Sequence, residues 1–206
     1  MDLRPRLIDV AMPKQPTGVV LVLHGGADRR GSPMVSPTQL SVLRMVPIAR
    51  RIARAGRGRL AVVRLLNSSR GWDTRHTPVD DVAWALGELE RHGGPLPPVA
   101  LVGHSLGGRA ALLAAADPRV VAAVALAPYV YASDGDAPID GRDVLVVHGD
   151  RDRVASPQRA AAVARALARR ANVEFVVVEG GKHAMLRHHR AFSGPAARFV
   201  AERLGR

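Results

Sequence analysis

Val99-Ala100-Leu101-Val102-Gly103-His104-Ser105-Leu106-Gly107-Gly108 is an apolar run that stops at a glycine-flanked serine and passes into the alanine-rich stretch Arg109 to Ala116. It reads as strand, sharp turn and helix, with Ser105 at the apex. Side-chain-free positions at Gly103 and Gly107 let strand and helix pass closely, which leaves the serine hydroxyl exposed on a strained turn. Because the helix begins just after the serine, the amide of Leu106 has no intrahelical acceptor and sits at the positive end of the helix dipole. One turn therefore offers a nucleophile and half of an oxyanion hole.

Working outward, the chain alternates strands with helices. Arg6 to Ala11 reads as an edge strand and Val19 to Leu23, apolar at every position, as a strand covered on both faces. That strand exits through His24-Gly25-Gly26-Ala27, where consecutive glycines would let backbone approach a substrate; the second oxyanion amide is assigned to Gly26 or Ala27. An irregular loop follows, with Met34 as a candidate pocket residue, and then one helix from about Ser41 to Ala55. Leu60 to Leu66 reads as a strand and Asn67 to Asp73 as a polar loop carrying Trp72, a further candidate pocket residue. The following helix opens at Pro78, with Asp80 and Asp81 read as capping its first turn.

Beyond the elbow helix, Val120 to Ala127 and Val144 to Val147 read as further strands. The connection between them, Tyr129 to Asp143, is too short for a helical lid, so the site is expected to be shallow and bordered by Tyr129 and Tyr131. A helix from about Pro157 to Arg170, a last strand Val173 to Val178 and a final helix started or broken near Gly194-Pro195 complete the chain. About seven strands alternating with helices predict an α/β fold: an open, mostly parallel sheet with helices on both faces, as a single domain over residues 1–206.

In such sheets ligands bind outside the carboxyl ends of the strands. His24-Gly25-Gly26, Ser105, Asp150 or Asp152, and His183 each follow directly on a separate strand, so folding would bring them to one edge. A serine hydroxyl needs a base, and a base imidazole needs a carboxylate to hold its tautomer. His188 and His189, adjacent and without a carboxylate spaced with them, read as surface residues rather than metal ligands; His24 and His104 read as structural neighbours of the site.

His24-Gly25-Gly26, Gly103-His104-Ser105-Leu106-Gly107, His148-Gly149-x-x-Asp152 and Gly180-Gly181-x-His183 together resemble the successive motifs of the α/β-hydrolase superfamily, in a small form without a cap domain. The resemblance implies Ser105 as nucleophile, Asp152 as acid and His183 as base, with oxyanion amides from Leu106 and the Gly26/Ala27 region. Asp150 competes for the acid role, and the spacing from His148-Gly149 favours Asp152. The implied activity is hydrolysis of a carboxylic ester or thioester through an acyl-enzyme, with no cofactor and no metal. The alternatives are a related carbon–carbon hydrolase or perhydrolase, and a non-catalytic scaffold that binds an anionic ligand.

The 206 residues carry a formal net charge of +12. All the basic residues but Lys14 and Lys182 are arginine, and they are strewn along the chain; Arg29-Arg30, Arg50-Arg51 and Arg169-Arg170 read as solvated faces. With this scatter and few aromatic rings to stack on bases, no nucleic-acid partner is expected, only a small acyl substrate. Cysteine is absent, which excludes disulfides and thiol catalysis. The N-terminus lacks a signal-peptide pattern and no apolar run is long enough to span a bilayer, so a cytoplasmic protein is expected; the oligomeric state is left open.

Overall fold

The computed structural model describes residues 4–26, 35–69, 71–72 and 77–205. Seven strands form one sheet in the order β1-β3-β2-β4-β5-β6-β7, where β1 is Arg6–Ala11, β2 Gly18–Leu23, β3 Leu60–Leu66, β4 Val99–His104, β5 Val120–Leu126, β6 Asp143–Gly149 and β7 Asn172–Val178. Every neighbouring pair is parallel except β1 with β3, which is antiparallel and irregular between Asp9 and Ala11. Strands β2 and β4 are buried at all positions, as uniformly apolar runs require at the centre of a parallel sheet.

The helices are α1 Leu40–Leu43, α2 Met45–Ala55, α3 Pro78–Gly93, α4 Leu106–Ala114, α5 Pro157–Leu167 and α6 His189–Leu204. Helices α2 and α6 cover one face, packing Ile48, Ile52, Phe192, Phe199 and Val200 on Val20, Val22, Val102 and Val124. Helices α3, α4 and α5 cover the other through Val82, Leu86, Ala110, Ala111, Val163 and Leu167. The α/β architecture expected from the sequence is therefore present, seven strands included.

Three local readings are corrected. The single helix over Ser41–Ala55 is two pieces joined at Arg44. Pro47 has no amide to give to Leu43 and its ring crowds that carbonyl, so the helix restarts. Conversely, α6 runs unbroken through Gly194 and Pro195: burial of Phe192, Ala196, Phe199 and Val200 against the sheet overrides the local breaker signal. Finally, Asp80 does cap α3, accepting from the Thr77 amide at 2.7 Å, but Asp81 is buried and accepts from the amide and hydroxyl of Ser68, both at 2.9 Å. Asp81 thus ties the loop after β3 to the start of α3. Between β5 and β6 the chain makes only a short 3-10 turn at Ala132–Asp136, and no lid is built there.

Candidate active site

Strand β4 ends at His104, and the chain reverses into α4 within one residue, Ser105, at φ 57° and ψ −121°. A β-carbon-bearing residue rarely adopts this conformation, so the surrounding packing must impose it. That packing leaves no room for side chains: a Cβ on Gly103 would stand 2.0 Å from the Gly107 carbonyl oxygen, and one on Gly107 2.5 Å from that of His24. The Ser105 amide donates to the Leu126 carbonyl (3.0 Å) and its carbonyl accepts from Tyr129 (3.1 Å), which ties the elbow to the end of β5.

Ser105, Asp152 and His183, which follow β4, β6 and β7, meet at the carboxyl edge of the sheet. His183 Nε2 lies 3.0 Å from Ser105 Oγ, and His183 Nδ1 lies 2.8 Å from Asp152 Oδ2. With Nδ1–H donating to the carboxylate, Nε2 is left as an acceptor for the serine hydroxyl. Asp150 is exposed, whereas Asp152 is buried. The geometry thus separates two aspartates that spacing alone only ranks.

The Asp152 carboxylate receives more donors than the sequence suggested. Its Oδ1 accepts from the amides of Val154 (2.8 Å) and Ala155 (2.9 Å), while Oδ2 is reached by both His183 and the buried His148, 3.2 Å away. Burial by itself would raise its pKa. The hydrogen bonds from His148, His183 and the two amides outweigh burial and hold the group well below the usual carboxylate range. It stays an anion.

Two further contacts position the imidazole. Gly149 and Gly181 are packed backbone to backbone, a Cβ on Gly149 falling 2.3 Å from the Gly181 oxygen, so the loops bearing Asp152 and His183 close directly on each other. His104 Nε2–H donates to the His183 carbonyl at 2.9 Å, and its ring lies 4.9 Å from the His183 ring. The double-glycine motif was readable in the sequence; its contact with Gly149, and the particular hydrogen bonds of His148 and His104, carried no sequence signal.

His24 and His104 are structural neighbours, as expected. His24 Nδ1–H donates to the Gly25 carbonyl (2.6 Å) and Nε2 accepts the Asn67 amide (3.1 Å), which braces the loop after β2. Gly25 passes close to Ser105, its Cβ position 3.2 Å from Ser105 Cβ. Leu106 is the first residue of α4, where its amide has no partner one turn back. Gly26 follows Gly25 at the same edge; Ala27 and Met34 lie outside the described residues.

The walls involve an arginine that sequence reading passed over. The Arg109 guanidinium forms a bidentate pair with buried Asp134 (2.8 and 3.0 Å) and lies over the rings of Trp72 at 4.1 Å and Tyr131 at 4.6 Å. Tyr131 in turn meets Tyr129 edge to face, with centroids 5.9 Å apart. The three aromatic residues expected to border the pocket are thereby linked into one group beside the elbow. A cavity of about 770 Å³ opens next to Asp152 and His183, flanked by Arg151, Arg153, Val154 and Lys182.

Burial also governs protonation. Burial, followed by the charge of His183, lowers the pKa of His104 to about 3; burial likewise lowers that of His24. Both stay neutral in the folded protein, whereas in the unfolded chain they take a proton near pH 6.5. Their contribution to stability is full above that value and is lost as the pH falls below it. The midpoint of urea unfolding is therefore expected to drop between pH 7 and pH 5, each histidine adding up to about 1.4 kcal/mol per pH unit. A midpoint constant over this range would mean that both rings take up protons in the fold as they do in the unfolded chain.

Residues 91–197 match the model of the alpha/beta hydrolase family, and the chain belongs to that family. Among solved structures it is similar to a ferulic acid complex of Est1E from Butyrivibrio proteoclasticus, at 16% identity and TM-score 0.71 over 98% of this chain and 96% of that one. It is also similar to a putative alpha/beta hydrolase from Agrobacterium tumefaciens, at 17% identity and TM-score 0.73 over 97% and 91%. A third is an α/β serine hydrolase without a lid from Xanthomonas campestris, at 22% identity and TM-score 0.65 over 97% and 88%. No curated protein matches in sequence. Among the described residues no helix is long and apolar enough to cross a membrane, and no group of three or more acidic or histidine side chains could hold a metal ion.

Proposed function

We propose that this protein is a serine hydrolase that cleaves a carboxylic ester, or an acyl thioester, through an acyl-enzyme. The observation that carries the proposal is the hydrogen-bonded chain from Ser105 Oγ through His183 to Asp152, with the serine held on a backbone conformation that presents it. Ser105 Oγ attacks the acyl carbon while its proton passes to His183 Nε2. The carbonyl electrons collect on oxygen, facing the amides of Leu106 and of Gly26 or Ala27. Collapse of this tetrahedral species expels the alkoxide or thiolate, which leaves with the proton from His183, and the acyl group remains on Ser105. Water then attacks, giving its proton to the same nitrogen, and the acid departs as Ser105 is restored. Asp152, kept anionic by hydrogen bonds from His183 and the amides of Val154 and Ala155 with the His148 ring close by, stabilises the imidazolium without itself taking a proton.

Trp72, Tyr129 and Tyr131 are assigned to the acyl wall. The short connection after β5 supports an open cleft suited to small or flexible acyl groups. The esterases among the structural neighbours support the ester class. An alkyl fluorophosphonate should label the wild-type protein on the peptide containing Ser105, and p-nitrophenyl acetate should protect against labelling. Labelling on another residue, or none, would remove the proposal in favour of a binding scaffold.

A further inference from the structure

The arginines that the sequence scatters are gathered by the fold. Between α2 and α6, on the face opposite α3, α4 and α5, runs a groove of about 1010 Å³. One wall carries Arg51, Arg54, Arg57 and Arg59, the other Arg190 and Arg198, and Gly194, Ala197 and Ala201 line it with small residues. Five of the six arginines are exposed and Arg51 is partly buried, its Nη1 donating to Ser193 Oγ at 3.2 Å. The Arg198 guanidinium lies over Gly194. Among the described residues Glu202 is the one carboxylate in the lining, and its ion pair is with Arg203, at 3.9 Å.

Some arginines elsewhere are neutralised by carboxylates, Arg109 by Asp134, Arg119 by Asp117 and Arg203 by Asp143. Here six guanidiniums line one groove, none of them in an ion pair with a carboxylate of the described residues. The groove also holds an orphan: His189 Nε2 is buried and has no hydrogen-bond partner, and burial together with the charges of Arg51 and Arg190 lowers the ring's pKa. The sequence reading of His189 as a simple surface residue is thus incomplete. Like charges converging on a low-dielectric wall focus a positive potential, so the groove calls for an anion.

The shape narrows the choice. From Arg190 to Glu202 the α6 wall extends roughly 18 Å at 1.5 Å per residue. Measured along the duplex axis one strand carries a phosphate about every 3.4 Å, so a duplex lying parallel to this wall would bring up to about five phosphates of one strand past it. Among the described residues the lining has no phenylalanine, tyrosine or tryptophan ring for base stacking, the His189 ring having its Nε2 buried, and no large apolar side chain to enter a lipid layer. We infer that the α2/α6 groove binds the sugar–phosphate backbone of a double-stranded nucleic acid without reading its sequence. The inference departs from the expectation of no nucleic-acid partner, because scatter along the chain is not scatter in space.

The test is anisotropy of a fluorescent random-sequence DNA duplex over a salt series. The wild-type protein should bind with an affinity that falls steeply as salt rises. Arg54→Glu with Arg198→Glu should weaken binding roughly tenfold or more, and the milder pair Arg54→Ala with Arg198→Ala should flatten the log–log salt slope by about 1.8, at 0.9 per lost phosphate contact. Arg165→Glu with Arg169→Glu, at the end of α5 on the other face, should retain most of the affinity, and ester turnover should be unchanged in all variants. Equal weakening by the α5 pair would show diffuse charge and overturn the inference. So would absence of duplex binding at low salt, or groove-dependent binding to phosphatidylglycerol vesicles or linear polyphosphate in its place.

Discussion

Ser105→Ala and His183→Ala are each expected to lower kcat for p-nitrophenyl acetate by about 10⁶-fold, and the double variant is expected to lose no more than either single one. The reason is geometric: His183 Nε2 and Ser105 Oγ are 3.0 Å apart and share one proton, so removing either leaves the other without a task. Asp152→Asn should cost about 10⁴-fold. In that variant an amide N–H₂ would take the place of one carboxylate oxygen. Oriented toward the N–H groups of His183 and His148, it sets donor against donor and drives His183 to the tautomer that has its proton on Nε2, toward the serine. Asp150→Asn, altering an exposed side chain, should leave kcat within a factor of about two if Asp152 alone holds His183. Steady-state kinetics of the five variants checks these figures. Losses that multiply in the double variant would mean that serine and histidine act separately.

The second large effect is on folding. Gly103→Ala is expected to destabilise the protein by more than about 4 kcal/mol, or to prevent its folding. The added carbon would overlap the Gly107–Gly108 peptide group, 2.0 Å from the Gly107 oxygen, 2.3 Å from its carbonyl carbon and 2.7 Å from the Gly108 nitrogen. Backbone at the junction of a buried central strand and its helix cannot yield as a flexible side chain can. Gly87→Ala is the contrast: within α3, nothing lies within 4 Å of its Cβ position, and the change should stabilise by about 1 kcal/mol through helix propensity alone. Urea unfolding of both variants measures the difference. A Gly103→Ala protein as stable as wild type would mean that the elbow is far looser than these distances require.

Much of the sheet was legible because its signals are local. A run apolar at every position, as in Val19–Leu23 or Val99–Val102, has one stable setting, the interior of a parallel sheet, and it buries as expected. Glycines on either side of Ser105 encode their own close approach. Local signals failed where packing competed with them. Gly194 and Pro195 read as a helix break, yet the apolar face of α6 carries the helix through them, and Asp81 read as a dipole cap while its carboxylate is buried under a neighbouring loop.

What the sequence by itself determined is the alternation of strands and helices, the elbow, and the set of side chains that strand ends deliver to one rim. Each depends on residues a few positions apart, where chain connectivity limits the choices. Only the tertiary structure decided that Asp152 rather than Asp150 reaches His183, that His148 and Gly149–Gly181 secure that contact, and that Arg109 backs the aromatic wall. It also decided that arginines some 130 residues apart in sequence line one groove. These depend on which strands lie side by side and how far apart their helices sit, distances set by the packing of the whole core rather than by any stretch of chain.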